Sequence, residues 1–174
     1  MAIVKASFVK RGSQAKLKAK ATLKYIQHRP GKEGSRIIRT LYGSDGIMER
    51  HEAHRMIDEA GREHIFFRFI ISPDPALEDQ DRELNMRLIT HQTMQTLEER
   101  LQKPVLWVAA DHSDHSDSRH VHVFALVPQR LDKTHFSELR QQATQASLEQ
   151  RRELDQVRLI QQRQREEAEW GRGY

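Results

Sequence analysis

The chain of 174 residues contains no cysteine, no long apolar run and no internal repeat. Without cysteine it can form neither a disulfide framework nor a thiolate metal site, which leaves histidine, aspartate and glutamate as candidate metal ligands. No apolar run reaches the roughly 20 residues of a membrane-spanning helix, and the first residues, MAIVKASFVKRG, lack the apolar region of a signal peptide. We therefore expect a cytoplasmic protein that has no membrane segment and consists of one domain with an appendage.

Positive charge is concentrated at the N-terminal end of the chain, although the net charge is only +4. Residues 1–42 contain eleven lysines and arginines against the single acidic residue Glu33, a balance of +10. The remaining residues carry 18 basic and 24 acidic side chains, a balance of −6. A segment this basic attracts a polyanion and supplies phosphate contacts that do not depend on base sequence. A merely solvated surface is the alternative interpretation.

Apolar periodicity and the positions of glycine and proline predict the order of helices and strands. The predicted strands cover residues 2–9, 36–42, 64–72, 105–110 and 120–127, and the predicted helices cover residues 14–27, 48–60, 77–102 and 134–169. The last two strands are apolar on both faces, as is typical of central strands covered by helices. We therefore predict an α+β domain in which these two strands are antiparallel neighbours packed under helices.

The C-terminal segment, residues 131–174, is charged and rich in glutamine. Its few apolar residues, including Leu148, Leu154, Val157 and Ile160, make a poor stripe for packing against a core. We expect a long charged helix that serves as a solvated arm, a partner helix or a linker, outside the main domain of residues 1–130.

Histidines near the last two predicted strands form the clearest chemical pattern, in the segment DHSDHSDSRHVHVFALV. Residues two apart on a strand point to the same face, so His120 and His122 present two imidazoles side by side. An antiparallel return brings the end of the preceding strand, with His112, close to this pair. Three neutral imidazoles leave coordination positions open for phosphate oxygens. Spacing alone leaves open whether His112 or His115 is the third ligand, and two half-buried polar residues are the alternative.

Two segments resemble motifs of the conjugative relaxases, the mobilisation nucleases of the HUH endonuclease superfamily. The His-x-Asp element at 112–114 followed by HVHV resembles their third motif, and AKATLKYIQHRPGKEG, which contains Tyr25, resembles their first. The tyrosine precedes the histidine pair, as in relaxases, whereas single-tyrosine transposases and replication initiators place it after. The resemblance covers residues 1–128 and implies a central antiparallel β-sheet flanked by helices.

The resemblance also implies a role for each matching residue. Tyr25 is then the nucleophile, and a divalent ion, Mn²⁺ or Mg²⁺, is held by three histidines, namely His112, His120 and His122. We expect Asp114 to orient a histidine or to accept the tyrosine proton. In the family the first histidine lies seven positions before the second, whereas His112 lies eight positions before His120. Tyr42 is the competing phenol, in a context that indicates the end of a strand.

The implied activity is site- and strand-specific nicking of single-stranded DNA at a transfer origin, through a 5′-phosphotyrosine intermediate. Such an enzyme initiates mobilisation of a bacterial mobile element, with relaxosome accessory proteins as further candidate partners. Lys16, Lys20 and Lys24 recur at four-residue intervals and form one basic stripe on the first helix. We expect them to contact the DNA backbone together with Arg29 and Arg36, and a solvated lysine face is the alternative.

Other functions compete with this one. The histidine-triad nucleotide hydrolases require a third histidine where this chain has Phe124, and the two-histidine phosphoesterases require two separate motifs where one histidine pair stands out. An HUH replication initiator or transposase-type nuclease is a related alternative. A non-catalytic DNA-binding or relaxosome accessory protein is an alternative of a different class, and metal analysis distinguishes it because such a protein needs no divalent ion.

Overall fold

The computed structural model describes residues 1–113 and 118–170. The strands are β1 (Ile3–Phe8), β2 (Tyr42–Gly43), β3 (Gly46–Ile47), β4 (Ile65–Ser72), β5 (Leu106–His112) and β6 (His120–Val127), and the helices are α1 (Ala15–His28), α2 (Arg50–Glu59), α3 (Met86–Leu101) and α4 (Lys133–Trp170). A short 3₁₀ turn, Lys32–Gly34, follows α1. The predicted fold class, a central antiparallel sheet flanked by helices with a long last helix, is confirmed.

The six strands form one antiparallel sheet in the order β1-β4-β6-β5-β2-β3. Strand β6 lies in the middle and pairs with β4 on one side and with β5 on the other. In the β5–β6 pairing His112 lies opposite His120, and Ala110 lies opposite His122. The pairing that the sequence predicts for these two strands therefore brings three histidines to one end of the sheet.

Each face of the sheet packs against its own pair of helices. Alternate residues of β6, such as Val121 and Val123, are fully buried in the core that includes α3 and α4. Phe124 and Leu126 point the other way, into the core that includes α1 and α2. This period of two explains why the strand is apolar at almost every position, since both of its faces are covered.

The predicted strand over residues 36–42 is wrong except at its end, where Tyr42 opens the two-residue strand β2. The preceding segment covers the C-terminal end of α1 instead of joining the sheet. The backbone N–H of Arg39 donates to the carbonyl of Gln27 at 3.0 Å, and its side chain donates to the carbonyl of Arg29 at 2.7 Å. Satisfying these last carbonyls of a helix competes with strand pairing for the same residues.

The predicted start of the third helix at residue 77 is also wrong, because α3 begins at Met86. Residues 73–85 form a loop, in which the side chain of Asp74 accepts hydrogen bonds from the backbone of Ala76 and Leu77. Asn85 then caps α3 by accepting from the N–H of Leu88 at 3.1 Å. Short polar side chains that bond to nearby backbone thus shape the start of the loop and the start of the helix.

Helix α4 differs from the expected solvated arm in its first half. Leu139, Ala143 and Ala146 are buried and belong to the same core as the strands. Small alanine side chains allow the helix to approach the sheet closely, which explains why its apolar stripe is sparse in the sequence. Residues 161–170 are exposed throughout and agree with the expectation. Among the described residues, no helix is long and apolar enough to cross a bilayer.

Candidate metal centre

The three predicted histidine ligands converge at one end of the sheet. One ring nitrogen from each of His112, His120 and His122 lies within 4.8 Å of the others. The ring centroid of His122 is 4.4 Å from that of His112 and 5.1 Å from that of His120. The three rings are inclined to one another rather than stacked face to face. This arrangement, here called the histidine cluster, can hold a metal ion.

The cluster follows from the register of the two central strands. His112 and His120 are directly opposite in an antiparallel pair, which places their side chains about 5 Å apart on the same face. His122 lies two residues further along β6 and so points to that same face. Two of the rings are almost inaccessible, with exposed fractions of 1% for His112 and 3% for His122.

The surroundings of His122 fit a metal ligand better than a structural histidine. Both of its ring nitrogens are buried and have no hydrogen-bond partner among the described residues. A buried polar group left in that state costs about 1–3 kcal/mol, which a metal ion bound to the nitrogen offsets. Burial lowers the pKa of His122 to about 3, assisted by the neighbouring His112 and His120 and by Arg68 and Arg29. The ring is therefore neutral near pH 7, which is the form that binds a metal.

His112 is oriented by the helix that covers it. Its Nε2 lies 2.8 Å from the backbone carbonyl oxygen of Ile26 in α1. A carbonyl only accepts, so Nε2 carries the proton of the neutral ring, and Nδ1 bears the lone pair that a ligand needs. A bond from the second ring nitrogen to a carbonyl is the usual way in which proteins fix the tautomer of a metal-binding histidine.

Tyr25 lies next to the histidine cluster, in the last turn of α1. Its ring centroid is 6.5 Å from that of His122, in an edge-to-face arrangement. The side chain is 45% exposed, and the guanidinium carbon of Arg29 lies 5.9 Å from the centroid of its ring. The phenol therefore stands between solvent and the histidines, with a permanent positive charge beside it.

Tyr42, the competing phenol, occupies a different environment. It is 1% exposed and belongs to the core on the face of the sheet opposite the histidine cluster. Its hydroxyl donates to a carboxylate oxygen of Asp111 at 2.7 Å. Burial, followed by the charge of Asp111, raises the pKa of Tyr42 far above its usual value. A phenol so placed is neither accessible nor close to deprotonation.

The structure separates the predicted DNA-binding residues into groups. Lys16 and Lys20 donate hydrogen bonds to Asp58, Lys20 at 2.7 Å, so this end of the lysine stripe ties α1 to α2. Lys24 and Arg36 are exposed, whereas Arg29 is half-buried beside Tyr25. Asp114, the predicted helper of catalysis, and His115, the alternative ligand, lie outside the described residues.

Arg68 is a basic residue near the cluster that the sequence reasoning missed. It pairs with Phe124 in the β4–β6 register, so it shares the face that carries His122, and it is half-buried. Its positive charge is one of the causes of the lowered pKa of His122. The available signal was a single charge within the apolar run IFFRFII, at a position whose face only the strand register defines.

The fold and the site together define a class, an antiparallel α+β protein with a three-histidine cluster beside an exposed tyrosine. Comparisons of the chain with models of protein families, with characterised proteins and with solved structures found no match.

Proposed function

We propose that this protein is a metal-dependent nickase and strand transferase for single-stranded DNA, of the HUH relaxase kind. One observation carries the proposal, namely the 6.5 Å separation between the ring centroids of Tyr25 and His122. The sequence resemblance assigns these two residues to the nucleophile and the metal site. They lie 97 positions apart in the chain, and strand register and helix packing bring them together.

The donor set supports a divalent ion as the cofactor. His112, His120 and His122 offer three imidazole nitrogens and leave further coordination positions for oxygen ligands. A bound Mn²⁺ or Mg²⁺ supplies Lewis-acid polarisation of a phosphate oxygen. The chain's own contribution is to keep His122 neutral by burial and to fix His112 through the carbonyl of Ile26.

Tyr25 supplies the nucleophile in this proposal. Its phenolic oxygen gives up its proton to solvent and forms a bond to the phosphorus. The bond from phosphorus to the 3′ oxygen breaks, and that oxygen leaves as a free 3′-hydroxyl after taking up a proton from solvent. The 5′ phosphate remains on the tyrosine, so the same chemistry in reverse rejoins a strand. A phenol is a weak nucleophile at neutral pH. The guanidinium carbon of Arg29 lies 5.9 Å from the centroid of the Tyr25 ring and places a positive charge beside the reacting group.

Basic residues around the histidine cluster support a phosphate substrate. Arg29 and Arg68 both lie close enough to His122 for their charges to lower its pKa. Lys5 of β1 pairs with Ile70, which itself pairs with His122, so Lys5 extends the same sheet face towards the edge. These guanidinium and ammonium groups suit the backbone of a single strand that crosses the sheet to reach Tyr25. The strand would come from the transfer origin of a bacterial mobile element.

Trapping the covalent intermediate tests the proposal. The purified protein is incubated with Mn²⁺ and a library of single-stranded oligonucleotides that contain a randomised region, and is then denatured in detergent. We expect DNA to remain attached to the wild-type protein and to Tyr42→Phe, and to be absent from Tyr25→Phe and from samples with a chelator. Sequencing the attached DNA identifies the nicked site.

The matched tyrosine variants decide the assignment. Tyr25→Phe removes only the hydroxyl of a side chain that is 45% exposed, so loss of the adduct in a protein with unchanged melting temperature is a chemical effect. An adduct that persists in Tyr25→Phe would show that another residue is the nucleophile. No adduct in any sample, together with tight DNA binding, would favour a non-catalytic DNA-binding protein.

A further inference from the structure

A second surface with the chemistry of a nucleic-acid site lies on the opposite face of the sheet from the histidine cluster. It is a groove of 470 Å³ between the edge strand β1 and the segment that leads from β6 into α4. Phe8, Phe67 and Phe136 supply aromatic surface, and Lys10, Arg11 and Arg130 supply positive charge. We call these six residues the aromatic groove.

The aromatic groove exposes apolar surface that the fold does not need. Phe8 is 61% exposed and Ala6, on the same face of β1, is also exposed, although the earlier residues of that face, Ala2 and Val4, are buried. Its ring lies 6.0 Å from that of Phe67, which in turn stacks on Phe69 at 5.7 Å. The ring of Phe8 therefore rests against buried aromatic rings and is itself largely exposed.

The charges of the aromatic groove are of one sign. Lys10, Arg11 and Arg130 are all exposed, and no aspartate or glutamate lines the groove among residues 1–113 and 118–170. Arg11 donates to the backbone carbonyl of Glu63 at 3.2 Å, which holds its guanidinium in place. The exposed ring of Phe8 and the cations around it favour a ligand that is both planar and anionic.

We infer that the aromatic groove binds single-stranded DNA, as a second contact for the strand that is nicked at the histidine cluster. This inference rests on the proposed function for the identity of its ligand. Continuity between the two surfaces supports it. Arg68 pairs with Ser7 on the face of the histidine cluster, and the next register pair, Phe67 with Phe8, belongs to the groove. Because β1 is an edge strand, a flexible chain that passes over this edge reaches both surfaces.

Binding measurements without metal test the groove separately from any nicking. The probe is a fluorescein-labelled thymidine oligonucleotide of about 20 residues, a length that covers more than one contact region, and its anisotropy is followed in the presence of a chelator. We expect Phe8→Ala to weaken binding by about 5- to 100-fold, as the loss of one stacked base does. Phe8→Tyr keeps the ring and should bind as the wild type does. Ile47→Ala, which removes another largely exposed apolar side chain at the opposite edge of the sheet, is the matched control.

Two further readouts identify the contact and its ligand. Arg130→Gln should reduce the slope of log affinity against log salt concentration by about 0.7. In a Trp170→Phe background, the fluorescence of Phe8→Trp should be quenched by the oligonucleotide. The inference would be overturned if Phe8→Ala bound the oligonucleotide with wild-type affinity and the fluorescence of Phe8→Trp were not quenched. It would also be overturned if a glutamate-rich peptide quenched Phe8→Trp and the oligonucleotide did not.

The failure of one proposal is distinguishable from the failure of the other. If the wild type forms no tyrosine adduct while Phe8→Ala still binds the oligonucleotide more weakly than the wild type, the groove stands and the nickase assignment falls. If the adduct forms while Phe8→Ala binds the oligonucleotide as tightly as the wild type and Phe8→Trp is not quenched, only the inference about the aromatic groove is wrong.

Discussion

At the scale of single residues, His122 is the side chain whose surroundings most need a ligand. Within residues 1–113 and 118–170 its two buried ring nitrogens have no hydrogen-bond partner, a state that a protein of ordinary stability rarely tolerates without a function. The sequence predicted the pair His120 and His122 from spacing alone, because a period of two is a local property of a strand. It could not predict the depth of burial or the nearby Arg68, since both depend on which strands are neighbours.

The metal-free protein should lose stability in acid because of this residue. Unfolded His122 takes up a proton near pH 6.5, whereas the folded ring, with its pKa lowered to about 3, does not. The free energy of unfolding should therefore fall as the pH falls from about 6.5 towards 3, by up to about 1.4 kcal/mol per pH unit for one such group. Urea titrations at several pH values measure the slope.

A variant pair isolates the contribution of His122. His122→Asn should flatten the dependence, whereas His51→Asn, on the exposed side of α2, should leave it as in the wild type. Burial also lowers the pKa of His28 and His54, so part of the slope remains in His122→Asn. An unchanged slope in that variant would contradict the burial argument.

Metal binding should stabilise the fold, and the site should bind Mn²⁺, the softer of the two predicted ions, more tightly than Mg²⁺. Imidazole nitrogens bind Mn²⁺ more readily than Mg²⁺, which prefers oxygen ligands and its own water shell. Mn²⁺ at a hundred times its dissociation constant should raise the free energy of unfolding by about 2.7 kcal/mol. Thermal denaturation and calorimetric titration measure both effects. Equal responses of the wild type and His122→Asn to Mn²⁺ would count against the site.

At the scale of elements, apolar periodicity predicted most of the helices and strands. The boundaries that depend on polar contacts were not predicted. Strands β4, β5 and β6 and helices α1 and α2 lie close to their predicted positions, because their apolar pattern matches their burial. The start of α3 at Met86 was missed, since Asp74 and Asn85 act through hydrogen bonds to nearby backbone. Residues 36–41 were misread because an apolar, β-branched segment can also cover the end of a helix.

The face of β6 that supports the site should be sensitive to truncation. Phe124 is fully buried and its ring lies 5.8 Å from that of Phe66, under α1 and α2. Phe124→Ala should destabilise the protein by about 3–5 kcal/mol, because the packing around it closes only partly over the lost ring. Chemical denaturation measures the change. Leu106→Ala, at a half-exposed position of the neighbouring strand, should cost much less, and similar losses would contradict the packing described.

At the scale of the whole molecule, the sheet is a layer between two helical layers, and α4 belongs to one of them only in part. Its first half shares a core with α3 and β1, whereas its last residues extend away. The residue pattern does not indicate this division, because alanine and leucine in a charged helix do not reveal which neighbour they contact. Exposed ion pairs from Arg151 and Arg158 to Asp81 join α4 to the loop before α3 and contribute little.

Truncation should therefore divide α4 into two parts. Removing residues 161–174 should change the melting temperature by no more than about 2 °C, since the described residues of that part are exposed. Removing residues 133–174 uncovers the core that Leu139 and Ala143 complete and should abolish cooperative unfolding. Calorimetry distinguishes the two outcomes. A cooperative transition in the shorter protein would show that α4 is an independent appendage.

The hydrogen bond between the ring of His112 and the carbonyl of Ile26 joins the strand to the turn of α1 that bears Tyr25. Displacement of that turn therefore perturbs the orientation of His112. Rotation of the His112 ring, in turn, leaves the carbonyl of Ile26 without this hydrogen bond. The two groups are therefore thermodynamically coupled through this bond. A ligand that fixes the His112 ring also stabilises the turn of α1 that bears Tyr25, and the coupling free energy is the same in either direction.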